Sequence, residues 1–417
     1  MKFNKSSQLL LVSAASLLAA VLITACGTAT TDFVYVSSAK AAGANSYGEI
    51  NVYEINGVSG SMRQILSSPY PSGGRNPVAE AVSSDYANLY VGNQDDNTIV
   101  QFMIGSDGKL YPQNTVNTPG IFPLAVAVSG TNLFVVDTYQ PLPACSTADP
   151  CPGSVGVFPL QPATTGANPT PSGAPGPTPL TNTATGADYW PLILPSNPKH
   201  IITPTAVNVL KSGADLFVTA YDASVTPNAG YVFGFSIGSS GALTALNGGV
   251  PFAAGVHPSA VASATETSGT YVYVTDSVNG NVLGYSFASG LLTSLSGSPY
   301  PAGNLPAAIV ADPAYPYVYV ANSTDGNIVA YSISSSGVLT RIGAYTAGIQ
   351  PVAIGIDPST NHFLFTANFT PDGVNGTVTG FELSATAGTL VDTQNSPYPS
   401  NAQPTAVAAV PHGSTTH

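Results

Sequence analysis

Short runs in which β-branched or aromatic residues alternate with small and polar ones recur along nearly the whole chain, each closed by Gly, Pro, Asn or Asp. A period of two predicts half-buried strands, and the punctuation predicts tight turns between them. The runs themselves repeat. When each Pro that precedes a small or apolar pair is placed in one column, seven rows appear, at Pro77 (PVAEAV), Pro123 (PLAVAV), Pro204 (PTAVNV), Pro258 (PSAVAS), Pro306 (PAAIVA), Pro351 (PVAIGI) and Pro404 (PTAVAA). They lie 46, 81, 54, 48, 45 and 53 residues apart, which brackets the length of a four-stranded propeller blade. The expected fold is all-β, a seven-bladed β-propeller of four-stranded antiparallel blades.

Each row continues alike. A second strand follows, such as LYVGN (89 to 93), YVYVAN (317 to 322) or FLFTAN (363 to 368), then a polar turn and a third strand with a small residue ahead of it, as in GNIVAYSI (326 to 333). Turns such as SDGKL (106 to 110) and SSGVLT (335 to 340) place Gly where a positive φ is needed. The fourth strand runs into Pro-rich connectors, SPYP at 68 to 71, 298 to 301 and 396 to 399, where Pro stops an edge from recruiting another chain. Row seven holds one strand only, PTAVAAV (404 to 410). The missing three are FVYVSS (33 to 38), GEINVYEI (48 to 55) and a strand near Arg63 to Leu66, so the C-terminal strand is expected to close the ring inside the N-terminal blade. The propeller is placed at 32–410, with 411–417 as a disordered tail.

The row starting at Pro123 is irregular. Residues 139–200 form an insertion, and QPATTGANPTPSGAPGPTPLTNTATG (161 to 186) keeps no apolar period, which predicts a solvated, extended excursion. Tyr189 and Trp190 are expected to pin its end to the body. Cys145 and Cys151 stand close in the same stretch and are expected to form a small disulfide loop, because their spacing lacks the two-residue gap of a redox or metal pair.

Composition agrees with strands and turns: 44% of the 417 residues are hydrophobic, with 42 Gly and 36 Pro, too many for long helices. Nine Lys and Arg against 21 Asp and Glu leave a net charge of -12. So few cations cannot neutralise many phosphates, which excludes nucleic acid as a partner. The chain opens with Lys2 and Lys5, an apolar stretch from Leu9 to Ile23 and Ile23-Thr24-Ala25-Cys26. This reads as an export signal, and the tetrapeptide resembles a bacterial lipobox. By that resemblance residues 1–25 are removed, Cys26 is lipidated, and 26–31 are a short tether to a membrane leaflet. Gly27 favours the outer membrane or cell surface, with the protein facing the periplasm or exterior as a monomer. The other readings are a simple secretory signal and an uncleaved anchor.

The text YVYVANSTDGNIVAYSISSSGVLT (317 to 340), with SPYPAGNLPAAIV (298 to 310), resembles the lactonase-type seven-bladed propellers, which include 6-phosphogluconolactonase of the propeller kind, and also the YVTN-repeat propellers. The resemblance covers residues 32 to 410. It implies the fold, and a carboxylic ester hydrolase acting on a lactone at the mouth of the central channel, where His, Arg and Glu or Asp gather in active members. The residues of those types on that rim are His257, Arg75 and Glu80. Glu80 stands in a column filled by Val or Ile in the other six rows. It reads either as a catalytic group or as an ion-pair partner of Arg75, since a buried carboxylate costs several kcal/mol unless paired. His257 reads as a base or as a turn residue before Pro. The remaining rim residues, Asn76, Asp95, Asp137, Asp276, Asn322 and Asn368 among them, form a ring of Asn and Asp suited to binding. Asp-rich turns at 93 to 97 and 322 to 327 fit Asx turns as well as Ca²⁺; no metal site and no cofactor are expected. The chain's three Arg are Arg63, Arg75 and Arg341. An acidic rim with one Arg opposes a sugar phosphate and suits a neutral lactone or sugar derivative. The competing reading is a non-catalytic propeller that binds a protein or glycan at the cell envelope.

Overall fold

The computed structural model describes residues 30–39, 46–57, 59–163, 172–358, 363–370 and 375–411. The export signal, Cys26 and residues 412–417 lie outside them. Seven antiparallel sheets make up the described chain, and its helical segments are two single 3₁₀ turns. Blade 1 runs outward as Pro404–Pro411, Thr30–Ser38, Glu49–Asn56 and Met62–Gln64. Blades 2 to 7 have their innermost strands at Pro77–Val82, Ile121–Ser129, Ile202–Val209, Pro258–Glu266, Pro306–Ala311 and Pro351–Ile356. Each is followed outward by its next three strands in chain order. This is the seven-bladed, four-stranded propeller expected.

The Pro column marks one structural event. Every innermost strand carries a register shift beside its Pro, for example between Pro77 and Ala79 and between Pro351 and Ala353. One residue is left out of the ladder and the strand twists more strongly, as a β-bulge requires. The innermost strands touch in a ring, with Pro404–Pro411 between those of blades 7 and 2. Seven register pairs tie this strand to Thr30–Ser38, from Asp32↔Pro411 to Ser38↔Pro404. Thr405, in the bulge, donates from Oγ1 to the Pro77 carbonyl at 2.6 Å, and Ser259 does the same to Pro306 at 2.6 Å.

The core lies between blades. Phe33, Tyr35, Ile50 and Val52 of blade 1 pack on Leu89, Val91, Val100 and Phe102 of blade 2, all fully buried or nearly so. Burying each such side chain stabilises by about 1.5–3 kcal/mol. A polar clasp accompanies this layer. Tyr35 donates to Gly108 O at 3.1 Å, Tyr90 to Gly173 O at 2.6 Å, Tyr273 to Gly337 O at 2.8 Å and Tyr319 to Gly388 O at 3.3 Å. In each case a second-strand Tyr reaches the hairpin turn of the next blade; Phe134, Phe217 and Phe365 hold that column elsewhere. Gly108 and Gly337 are required twice over. Both have positive φ, and a Cβ would lie 2.3 Å from Phe33 or 2.2 Å from Tyr271.

The SPYP segments break the fourth strand in two, as in Leu291–Ser294 and Tyr300–Pro301. The Ser repairs the break. Ser68, Ser298 and Ser396 accept from the N–H groups of Val52, Gly284 and Gly380 at 2.8 to 3.1 Å. Blade 3 does the same with the irregular segment: Ala174–Pro175 and Trp190–Pro191 both pair with Ser154–Gln161. The stretch expected to be an excursion thus supplies the fourth strand of its blade, and residues 164–171 lie outside the described part. Its two pieces are two residues each, too short for a period to betray them. Trp190 is buried and donates from Nε1 to Leu243 O of blade 4 at 2.8 Å, pinning the segment as expected.

Candidate functional site: the channel rim

The second strand of each blade ends on one face of the ring, beside the connector that enters that blade's innermost strand. At or near that end stand Ser38, Asn93, Asp137, Asp222, Asp276, Asn322 and Asn368, and all are at most 1% exposed. They are clasps. Asn93 Nδ2 donates to Ser72 O and accepts at Oδ1 from the Ser72 hydroxyl; Asp137 Oδ2 accepts from Gly120 N–H at 2.9 Å. Asp276 accepts from the N–H groups of Val256 and His257, while Asn322 donates to Ala302 O. Asn368 donates to the hydroxyls of Thr377 and Thr379. The ring of Asn and Asp read as a binding surface is thus largely internal: Asp137, Asp276 and Asn322 hold connectors, and Asn368 ties its strand to the third strand of its blade. Asn76 and Asp95 lie nearer solvent and bond one another, Nδ2 to Oδ1 at 3.2 Å.

Close approach to these clasps explains a recurrent Gly three residues before the Pro. A Cβ on Gly74, Gly120, Gly255, Gly303 or Gly348 would lie 2.1 to 2.7 Å from the clasp side chain. Gly120→Ala is expected to destabilise by about 1–3 kcal/mol through overpacking on Asp137, read as a lowered denaturant midpoint with unchanged m. Burial pushes the Asp137 carboxyl up to about 7, against the opposing pull of the Gly120 N–H and Thr118.

The three residues expected to carry chemistry occupy separate networks. Arg75 does not pair with Glu80. Its backbone N–H and Nε donate to Asp96 Oδ2 and Oδ1, each at 2.7 Å, and Nη2 donates to Asp95 O. The 3₁₀ turn Gln94–Asp96 brings those acceptors within reach of the connector, so the charge is already neutralised on the wall of an open hollow of about 490 Å³. Glu80 sits at the ring's closing seam, where the Ser37 hydroxyl donates to its Oε2 at 2.7 Å. Burial pushes its carboxyl up to about 8, opposed by Ser37 and the Ala408 backbone of the closing strand. His257 lies at the entry of blade 5. Its ring stacks on Tyr221 with centroids 4.0 Å apart, and Nδ1 is 3.1 Å from Ser277 Oγ.

Sequence reasoning passed over His200. Its Nδ1 lies 2.6 Å from Asp222 Oδ2, and Asp222 also accepts at Oδ1 from Ser224 N–H. A carboxylate only accepts, so Nδ1 is the donor in this bond, and in the neutral imidazole it is Nε2 that offers the lone pair. His200 is partly exposed and Asp222 buried, with side-chain exposures of 30% and 2%. Blade 4 departs from the other blades here. Its Pro204 pairs with Ala220, which stands where Asn93, Asp276, Asn322 and Asn368 stand in their blades, and the two strands continue two residues further onto the rim, to Ile202 and Asp222, as the blade 3 pair continues to Ile121 and Tyr139. The available signal was Ile201, which stands three before Pro where five rows have Gly. Asp222 and its neighbour Tyr221 point to opposite faces of the strand, so the two imidazoles flank its end. The other flank is stiffened: Cys145 and Cys151 are disulfide-bonded, and their loop leads to Gly153, whose N–H donates to Ile202 O. Among the described residues no group of three or more His, Cys, Asp or Glu is placed to hold a metal ion.

The fold is that of a seven-bladed β-propeller, and part of the chain is similar to the lactonase-type members of that architecture. Residues 231–408 match the family model described as lactonase, 7-bladed β-propeller. A Bacteroides fragilis protein assigned as a 6-phosphogluconolactonase is 18% identical, with a TM-score of 0.65 over 92% of this chain and 99% of its own. The periplasmic gluconolactonase of Pseudomonas aeruginosa is 18% identical, with a TM-score of 0.63 over 91% of this chain and 99% of its own. A Sulfolobus tokodaii protein named for selenium binding, 10% identical, reaches 0.62 over 93% and 96%. Likeness at these identities establishes the fold, since one propeller carries unrelated names. No curated protein sequence matches the chain.

Proposed function

We propose that the protein is an exported, lipid-anchored hydrolase of a neutral lactone or sugar derivative, acting on the channel rim at blade 4. The observation that carries this reading is the His200–Asp222 pair: a partly exposed imidazole held by a buried carboxylate, on a propeller of lactonase type. Nε2 takes a proton from water, and the hydroxide adds to the lactone carbonyl. The ring C–O bond then breaks, and the leaving oxygen recovers the proton from the imidazolium, giving a hydroxy acid. Asp222 keeps the tautomer and orientation fixed. An Arg already neutralised by Asp96 and a net charge of -12 favour an uncharged substrate over a sugar phosphate.

The test is a panel of sugar and acyl lactones. His200→Gln is expected to lower kcat/KM by about 10²–10⁴-fold with an unchanged melting temperature, and Asp222→Asn to follow it. Glu80→Gln and Arg75→Ala are expected to keep the wild-type rate. Turnover indifferent to His200, or none by the wild type, would leave the non-catalytic binding propeller as the reading.

A further inference from the structure

The face opposite the rim holds a second cavity, independent of the dyad. The turns that follow the innermost strands of blades 4, 5 and 6 converge there around about 350 Å³, lined by Asn208, Lys211, Ser263, Thr265, Glu266 and Asp312 among others. That is within the size range of small-molecule sites. Lys211 crosses it: its Nζ reaches from the blade 4 turn to Pro313 O of blade 6 at 3.1 Å, spanning blade 5. This contact uses one of three ammonium hydrogens. Asn208 Oδ1 is buried in the same wall with no hydrogen-bond partner, an arrangement costing about 1–3 kcal/mol unless a donor arrives. Asp312 is braced for its place, its Oδ1 accepting the N–H groups of Ala314 and Tyr315 at 2.8 and 3.0 Å.

The geometry points to a binding site for a neutral sugar of one or two rings. The wall holds both acceptors (Asn208 Oδ1, Glu266, Asp312) and donors (Lys211, Ser263, Thr265), and hydroxyl groups, which both give and accept, answer either kind. One ammonium beside two carboxylates leaves a net negative wall, which disfavours sugar acids and sugar phosphates. An apolar ligand would leave Asn208 Oδ1 unpaired.

Calorimetric or saturation-transfer titration of the full chain with D-glucose, D-galactose, D-xylose and maltose tests this, with gluconate and glucose 6-phosphate as charged counterparts. Saturable binding of at least one neutral sugar is expected, weakened tenfold or more by Asn208→Leu and by Lys211→Met, with His200→Gln without effect. Thermal melts of the variants confirm that both are folded; should Lys211→Met melt early, Ser263→Ala reads the same wall without the strap. No saturable neutral sugar, tighter binding of the charged pair, or affinity indifferent to the wall variants would overturn the assignment. Loss of lactone turnover with this binding intact would count only against the rim reading.

Discussion

Deletion of residues 404–411 is expected to abolish the folded monomer. The strand Pro404–Pro411 forms the innermost layer of blade 1 and contacts the inner strands of blades 7 and 2. Its removal takes away the buried Val407 and Val410, each worth about 1.5–3 kcal/mol, and strips the ladder partner from Thr30–Ser38. Fully buried Tyr35 and Val36 would then face water beside an unpaired edge. The sum approaches the 5–15 kcal/mol that typically holds a folded protein together. Size-exclusion chromatography and thermal melting of the truncated chain check this: aggregation or loss of the cooperative transition is expected, and an unchanged melt would refute the closure.

Glu80→Gln is expected to stabilise the protein at alkaline pH and to flatten its pH dependence. The Glu80 carboxyl sits at about 8 in the folded chain against 4.5 when unfolded, because burial at the seam opposes ionisation. Between those values the folded state keeps a proton that the unfolded state has released. Stability is therefore full below about pH 4.5 and falls as pH rises toward 8, with a slope of up to about 1.4 kcal/mol per unit. The accumulated loss is on the order of several kcal/mol. Asp137, pushed up to about 7, has the same sign and keeps part of the slope below neutrality. The difference between variant and wild type should be clearest from pH 7 to 8, measured as urea midpoints across pH. A wild-type midpoint flat across that range would refute it.

Glu80 shows how far the sequence reading reached. Its oddity was visible because six rows put Val or Ile in its column. Its partner was not visible: Ser37 is 43 residues away, on the second strand of the neighbouring blade. The same holds for the rim. The blade count, the closing strand and the turn glycines followed from a local period repeated seven times. Whether Asp137 and Asp276 face solvent or hold a connector depends on a bulge and a Gly several residues away, and alternation alone does not report depth. His200 was hidden for a related reason: Asp222 meets it on a two-residue extension of the blade 4 strand pair beyond Ala220, a property of strand pairing rather than of residue type.

The closing seam also bears on the order in which the molecule is assembled. Blades 2 to 7 each draw all four strands from one continuous stretch, and can pair as soon as that stretch is free to fold. Blade 1 cannot, because Thr30–Ser38 awaits a partner that is synthesised more than 360 residues later, as the 368-residue separation between Thr405 and Ser37 records. During that interval an apolar strand edge stays open at the start of a nascent protein, the kind of surface that chaperones cover. Late in synthesis, one short β-strand turns a string of local hairpins into a closed ring.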